Sequence, residues 1–105
     1  MLLQECRTGV VGAGNMGGGP IRGLLRAGQL EAARFTVADT SADALRPLAD
    51  LGVSTSSRAG DAVPGQDLVL LAVKPQVLPE VLPAVAEHLR PNQVLVSVLA
   101  GVSIA

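Results

Sequence analysis

The sequence predicts an α/β fold, a doubly wound parallel sheet of about five strands with helices on both faces. Three observations predict it. Short runs rich in Val and Leu alternate with helical stretches along the chain, and glycine or proline punctuates most junctions. Gly12, Gly14 and Gly17 form a G-x-G-x-x-G turn after the first apolar run and before a helical pattern. Asp39 closes the second apolar run, 22 residues past Gly17.

Arg7 to Gly12 reads as a short, buried parallel strand. The next helix carries Ile21, Leu24 and Leu25 on one face, and Arg26 and Gly28 supply its stop. Within its first residues Gly18-Gly19-Pro20 disfavour a helix interior, so a late start with Pro20 as the first helical residue is expected. Arg34 to Ala38 form the second strand. Ser41 caps a helix holding Leu45, Leu48 and Ala49, which Gly52 ends and Pro47 should kink or shorten. Val53 to Thr55 add a short third strand, and one helical turn fits Ala59 to Val63. Asp67 to Val73 is the plainest strand, expected to be central and covered on both faces. Pro75 forces Lys74 into an extended conformation and ends it. Val77 to Leu89 is helical, with Pro83 expected to divide it, and Val94 to Leu99 is the fifth strand.

Length and composition bound the function. The 105 residues suffice for one small domain spanning 1–105. Hydrophobic residues make up 49%, yet Phe35 is the only aromatic, so the core is aliphatic. With no aromatic platform and a net charge of −1, neither nucleic acid nor an anionic membrane is an expected partner. Cys6 is the only cysteine, so an internal disulfide and a cysteine-based metal cluster are excluded by count. The amino terminus lacks the long apolar core of a signal peptide, and the Val94–Ala105 stretch is too short to span a bilayer. A cytoplasmic protein is expected.

The glycine turn carries the chemistry. Gly12 permits a tight turn out of the strand, Gly14 allows backbone N–H groups to approach a pyrophosphate, and Gly17 lets the helix pack close. The positive end of that helix then faces the phosphates. Asp39 stands where such a unit places an acid for the adenosine ribose hydroxyls. Its carboxylate would repel a 2′-phosphate and leans toward NAD, whereas Thr40, Ser41, Arg46 and Arg58 lean the other way, so NADP or NAD remains open. Ligands of doubly wound sheets bind beyond the carboxyl ends of the strands. The loops there are Gly12–Gly17, Asp39–Ser41, Val73–Gln76 and Ala100–Gly101.

Four segments, G-A-G-N-M-G at 12–17, I-R-G-L-L at 21–25, L-L-A-V-K-P-Q at 70–76 and S-V-L-A-G-V-S-I at 97–104, resemble the amino-terminal, NAD(P)-binding Rossmann-type domain of pyrroline-5-carboxylate reductase. The resemblance runs through nearly the whole chain, and A-V-K-P-Q is its most specific piece. It implies NAD(P)H-dependent reduction of the C=N bond of 1-pyrroline-5-carboxylate to L-proline, the last step of proline synthesis. It further implies that Gly12, Ala13, Gly14, Asn15, Met16 and Gly17 hold the pyrophosphate. Asp39, Thr40 and Ser41 meet the adenosine ribose, and Ala72, Val73, Lys74 and Pro75 with Ala100 and Gly101 flank the nicotinamide half. No catalytic residue and no metal ligand is assigned. Lys74 reads as a solvated residue leaving a strand.

The chain departs from the family pattern at Gly18-Gly19-Pro20 and at Ser56-Ser57-Arg58, where the family often has an Asn near the adenine. It also lacks the family's carboxy-terminal helical domain, which forms the dimer and most of the imino-acid pocket, so the expectation is a full-length homo-oligomer and little activity from this chain alone. Two other readings fit the glycine loop: a related reductase module for another substrate, and a stand-alone nucleotide-binding or interaction module.

Overall fold

The computed structural model describes residues 6–12, 18–28 and 31–97. They build β1 (Thr8–Val11), α1 (Gly18–Arg26), β2 (Phe35–Ala38), α2 (Ala42–Asp50), β3 (Ser54–Ser56), β4 (Leu68–Leu71), α3 (Leu78–His88) and β5 (Val94–Ser97). Single 3-10 turns cover Ala32–Arg34 and Ala59–Ala62. All strand pairs are parallel, in the order β3-β2-β1-β4-β5. This is a five-stranded Rossmann-type sheet, as the alternation of elements predicts. The strand order reverses between β1 and β4, which puts the topological switch point beside β1.

Successive residues of β1 point to opposite faces, and each face has its own core. Val10 joins Phe35, Val37, Leu45, Leu48 and Val53, with Leu25 of α1 packed against them. Val11 joins Ala38, Ala62, Val63, Val69, Leu71 and Val85, on the face covered by α3 and the second 3-10 turn. Both clusters are aliphatic apart from Phe35, so the fold rests on area removed from water and on close packing.

Gly9 is the least obvious requirement. A Cβ there would overlap the carbonyl oxygen of Ala62, so the second 3-10 turn packs directly on the β1 backbone. Helix ends follow the expected chemistry. Gly28 and Gly52 have φ of 76° and 96°, and the Val53 N–H donates to the Leu48 carbonyl at 3.1 Å, a Schellman closure of α2.

Several expectations need correction. α1 starts at Gly18, not at Pro20. Pro20 therefore sits in the first turn, where an N–H has no intrahelical acceptor to lose. α2 runs unbroken through Pro47 and α3 through Pro83. Each proline removes one hydrogen bond, but buried Leu45 and Leu48 flank Pro47, and partly buried Val81 and buried Val85 flank Pro83, so packing carries each helix past its proline without ending it. Leu24 is 42% exposed and does not share the buried face with Leu25; adjacent helical residues lie about 100° apart. β4 is not the central strand. It is an interior strand lying between β1 and the edge strand β5, with Val69 and Leu71 buried but Leu68 and Leu70 only half-buried. β5 is described to Ser97, and the rest of the expected strand lies outside the described residues. Val94, Leu95 and Val96 are 57%, 40% and 39% exposed, so both faces of this edge strand meet solvent.

Polar bonds close the amino-terminal edge of the sheet. The Arg7 N–H donates to Asp67 Oδ2 at 2.9 Å. Gln93 Nε2 donates to the Val63 and Gln66 carbonyls at 2.7 and 2.9 Å, which ties the entry of β5 to that of β4.

Two glycines should respond in opposite ways. Gly9→Ala is expected to cost about 3 kcal/mol, since backbone must move to admit the methyl group. Gly23→Ala, in α1 with nothing within 4 Å of the added Cβ, is expected to stabilise by up to about 1 kcal/mol. Urea unfolding of both variants measures the contrast.

Candidate functional site

The carboxyl edge of the sheet is built around Gly12. Its N–H donates to the Ala38 carbonyl at 2.7 Å, and the Ala72 N–H donates to the Val11 carbonyl at 2.8 Å. Gly12 has φ of 110°, and a Cβ on it would overlap the Ala72 carbonyl oxygen. The turn out of β1 is thus wedged between the ends of β2 and β4, and only glycine fits.

Asp39 follows β2. Its N–H donates to the Ser56 carbonyl at 3.0 Å, and its Oδ1 accepts the Ser41 N–H at 2.8 Å. Ser41 Oγ in turn accepts the Ala44 N–H at 3.2 Å, the N-cap bond predicted for α2. Across the rim, Ser56 Oγ donates to Asp61 Oδ2 at 2.6 Å and accepts the Arg58 N–H at 3.1 Å, which holds Ser57 between two fixed residues. After β4, the Lys74 carbonyl accepts the Val77 and Leu78 N–H groups at 2.9 and 3.3 Å and starts α3.

These loops enclose a cavity of about 270 Å³. Gly12, Asp39, Thr40, Ala72, Val73 and Lys74, all candidates from the sequence, line it together. Ser41 does not line it, being turned to cap α2, and Pro75 is exposed outside it. Ala13, Gly14, Asn15, Met16, Gly17, Ala100 and Gly101 lie outside the described residues. Sequence reasoning did not single out Val11, Ala38, Ser57, Ala59, Val77 or Val81 as lining residues. The signal for Ser57 was its place just after a strand end at the same rim. For Val77 and Val81 it was their i, i+4 spacing at the start of α3.

The cavity has two characters. Val11, Ala38, Ala59, Val73, Val77 and Val81 make an apolar interior, while Asp39, Thr40, Ser57 and Lys74 bring polar groups. A flat, apolar-faced group with a hydroxylated appendage fits such a lining. Among the described residues no cluster of three or more His, Cys, Asp or Glu could hold a metal ion, and no helix is long and apolar enough to cross a membrane.

Residues 7–101 match the family described as NADP oxidoreductase, coenzyme F420-dependent. The chain belongs to this family. Within it, similarity to named proteins points to pyrroline-5-carboxylate reductases. One relative, pyrroline-5-carboxylate reductase 3 of Macaca fascicularis, is 38% identical over 99 residues, which are 94% of this chain and 36% of the relative. The structure of a pyrroline-5-carboxylate reductase from Coxiella burnetii superposes with a TM-score of 0.81 at 29% identity, over 93% of this chain and 37% of that one. An imine reductase from Myxococcus stipitatus in complex with NADP+ gives a TM-score of 0.72 at 29% identity, over 90% of this chain and 32% of that one. A variant of that imine reductase is known in complex with NAD+. This family member thus spans little more than a third of the length of the curated relatives it matches.

The Ser41 cap is testable on its own. Ser41→Ala is expected to cost about 1 kcal/mol, because the Ala44 N–H loses its acceptor. Thermal unfolding of the variant beside the wild type measures it.

Proposed function

We propose that this chain is the dinucleotide-binding part of an oxidoreductase that reduces 1-pyrroline-5-carboxylate to L-proline. The observation that carries the reading is the Gly12 turn opening onto a cavity with Asp39 at its rim. The cavity volume, about 270 Å³, is just under the ~300–1,000 Å³ usual for drug-sized ligands. It suits one nucleoside of a dinucleotide rather than the whole molecule. The apolar interior from Val73, Val77 and Val81 takes the adenine, and Asp39 accepts from the ribose. Ala72, Val73 and Lys74 accordingly serve the adenosine side of the site in this reading. The glycine turn that begins at Gly12 takes the pyrophosphate, and α1 follows that turn in the chain.

The nicotinamide of the bound cofactor supplies the hydride. In 1-pyrroline-5-carboxylate that hydride adds to the ring C=N carbon, the C=N π pair moves to nitrogen, and a proton completes the amine. This chain's residues bind and orient the cofactor. A second reading, reduction of other cyclic or acyclic imines, keeps the same C=N chemistry and is favoured by the likeness to the Myxococcus imine reductase.

Calorimetric titration of the chain with NADH and with NADPH tests the binding step, and heat from neither would sink the reading. Turnover is tested with a protein of the relatives' length that contains this sequence. Such a protein should reduce 1-pyrroline-5-carboxylate faster than other imines, and the opposite order favours the second reading. Val77→Asp should weaken dinucleotide binding roughly tenfold or more by placing a carboxylate against the adenine face. The same carboxylate stands at the start of α3, where the helix dipole favours it, so the melting temperature should hold.

A further inference from the structure

We infer that Asp61 is a positioning residue for the cavity: its carboxylate holds the hydroxyl of Ser56 and, through it, the short loop that brings Ser57 and Ala59 into the cavity wall. The inference rests on the dinucleotide reading above and names a residue that sets the affinity of that site without lining it.

β3 has little packing of its own. Of its three residues, Ser54 and Thr55 are exposed and Ser56 is half-buried. None of them belongs to either core cluster, so the exit of this edge strand is fixed by polar bonds. Ser56 makes three. Its carbonyl accepts the Asp39 N–H at 3.0 Å, its Oγ accepts the Arg58 N–H at 3.1 Å, and its hydroxyl donates to Asp61 Oδ2 at 2.6 Å. A serine hydroxyl rotates and has a single proton to give. The carboxylate fixes where that proton points and so keeps a lone pair for the Arg58 N–H. A length of 2.6 Å is that of a charge-assisted bond, roughly twice as strong as one between neutral groups.

The far end of the loop is clamped. The Asp61 N–H donates to the Arg58 carbonyl at 3.1 Å, within the second 3-10 turn. Gly60 and Ala62 of that turn are buried. A Cβ on Gly60 would lie 3.0 Å from Cε1 of the His88 ring, and the Ala62 carbonyl oxygen fills the place of a Gly9 Cβ. The turn is thus held between α3 and β1 by contacts other than the Asp61 side chain. Asp61 passes that fixed position to the exit of a strand that core packing does not hold. Ser57 and Ala59, both in the cavity wall, stand between the two ends.

Charge separates this role from a purely electrostatic one. A dinucleotide is negatively charged at its pyrophosphate, so a carboxylate near its site repels it and lowers affinity. Acting by charge alone, Asp61 would weaken binding, and its removal would tighten it. Acting through Ser56 it has the opposite sign, because its removal releases part of the wall.

The test is calorimetric titration of the 105-residue chain and its variants with NADH and with NADPH, each variant first checked by its melting curve. Asp61→Ala should weaken whichever dinucleotide the wild type binds by about fivefold, the usual net worth of one intramolecular hydrogen bond. Ser56→Ala should weaken it at least as much, and the double variant no more than Ser56→Ala alone, since both remove the same interaction. Asp61→Asn loses the charge but keeps an oxygen that accepts the Ser56 hydroxyl, so it should bind within about twofold of the wild type. The bond lies at the surface, so the melting temperature of Asp61→Ala should stay within about 4 °C of the wild type.

Unchanged or tighter binding by Asp61→Ala overturns the inference and leaves the dinucleotide reading standing. A loss in Asp61→Asn equal to that in Asp61→Ala overturns it too, as do losses that add in the double variant. A larger drop in melting temperature in Asp61→Ala makes the residue a support of the fold and likewise overturns it. Failure of the folded wild type to bind either dinucleotide overturns the reading on which the inference rests.

Discussion

At the end of β1 three backbones meet with no space for a side chain. The Gly12 N–H reaches the Ala38 carbonyl on one side, the Val11 carbonyl receives the Ala72 N–H on the other, and the Ala72 oxygen occupies the place of a Gly12 Cβ. Buried backbone groups must be paired, and here the pairing is made by the ends of the two strands flanking β1. The loops after β2 and β4 are thereby drawn to the same rim, and the cavity between them follows from that convergence. Without Gly12 the strand could still pair along its length, but its exit would not fit between its neighbours.

A comparable close approach lies lower on the same strand, where Gly9 accepts the backbone of the second 3-10 turn. The second 3-10 turn thus meets the β1 backbone directly at Gly9, and α3 covers the same face beyond it. The two ends of the sheet then differ in kind. At the amino-terminal edge, the Arg7 N–H donates to Asp67 and Gln93 Nε2 donates to the Val63 and Gln66 carbonyls, which closes the surface. At the carboxyl edge backbone bonds join the strand ends, from Gly12 to Ala38, Ala72 to Val11 and Asp39 to Ser56, while the side chains of Ser41 and Ser56 bond within their own turns, and the cavity lies between the loops.

Much of this was legible in the sequence. Parallel strands buried between helix layers read as continuous apolar runs, which is why β1, β2 and β4 were located, and Gly28 and Gly52 marked true helix ends because a left-handed residue closes them. The prolines were misread because local propensity counts a lost hydrogen bond but not the buried Leu48 or Val85 that holds a helix past it. Gly9 was invisible, since its partner Ala62 is distant in sequence and no periodicity reports a backbone-to-backbone contact. Ser57, Val77 and Val81 escaped for the same reason: a cavity wall is assembled from separate loops, and each residue alone is unremarkable. The exposure of Val94, Leu95 and Val96 follows from edge position, which composition does not encode. Gly12, Asp39 and Ala72 to Lys74 were legible because a turn out of a strand constrains residue type locally.

The two helix starts that follow β1 and β2 have opposite electrical character, although both succeed a strand of the same parallel sheet. α1 has no acid in its first turn, and Pro20 there contributes no N–H of its own. α2 begins with Asp39 bonded to Ser41, Ser41 bonded to Ala44, and Asp43 in the first turn. The macrodipole favours an anion at either start, but at α2 the protein's own carboxylates already meet that demand. The β2 side of the cavity therefore presents amides that are already bonded and carboxylate charge, whereas no acid stands in the first turn of α1. The Asx-type bond that begins α2 comes from a residue that also lines the cavity, so helix initiation and the electrical character of this rim are served by one carboxylate.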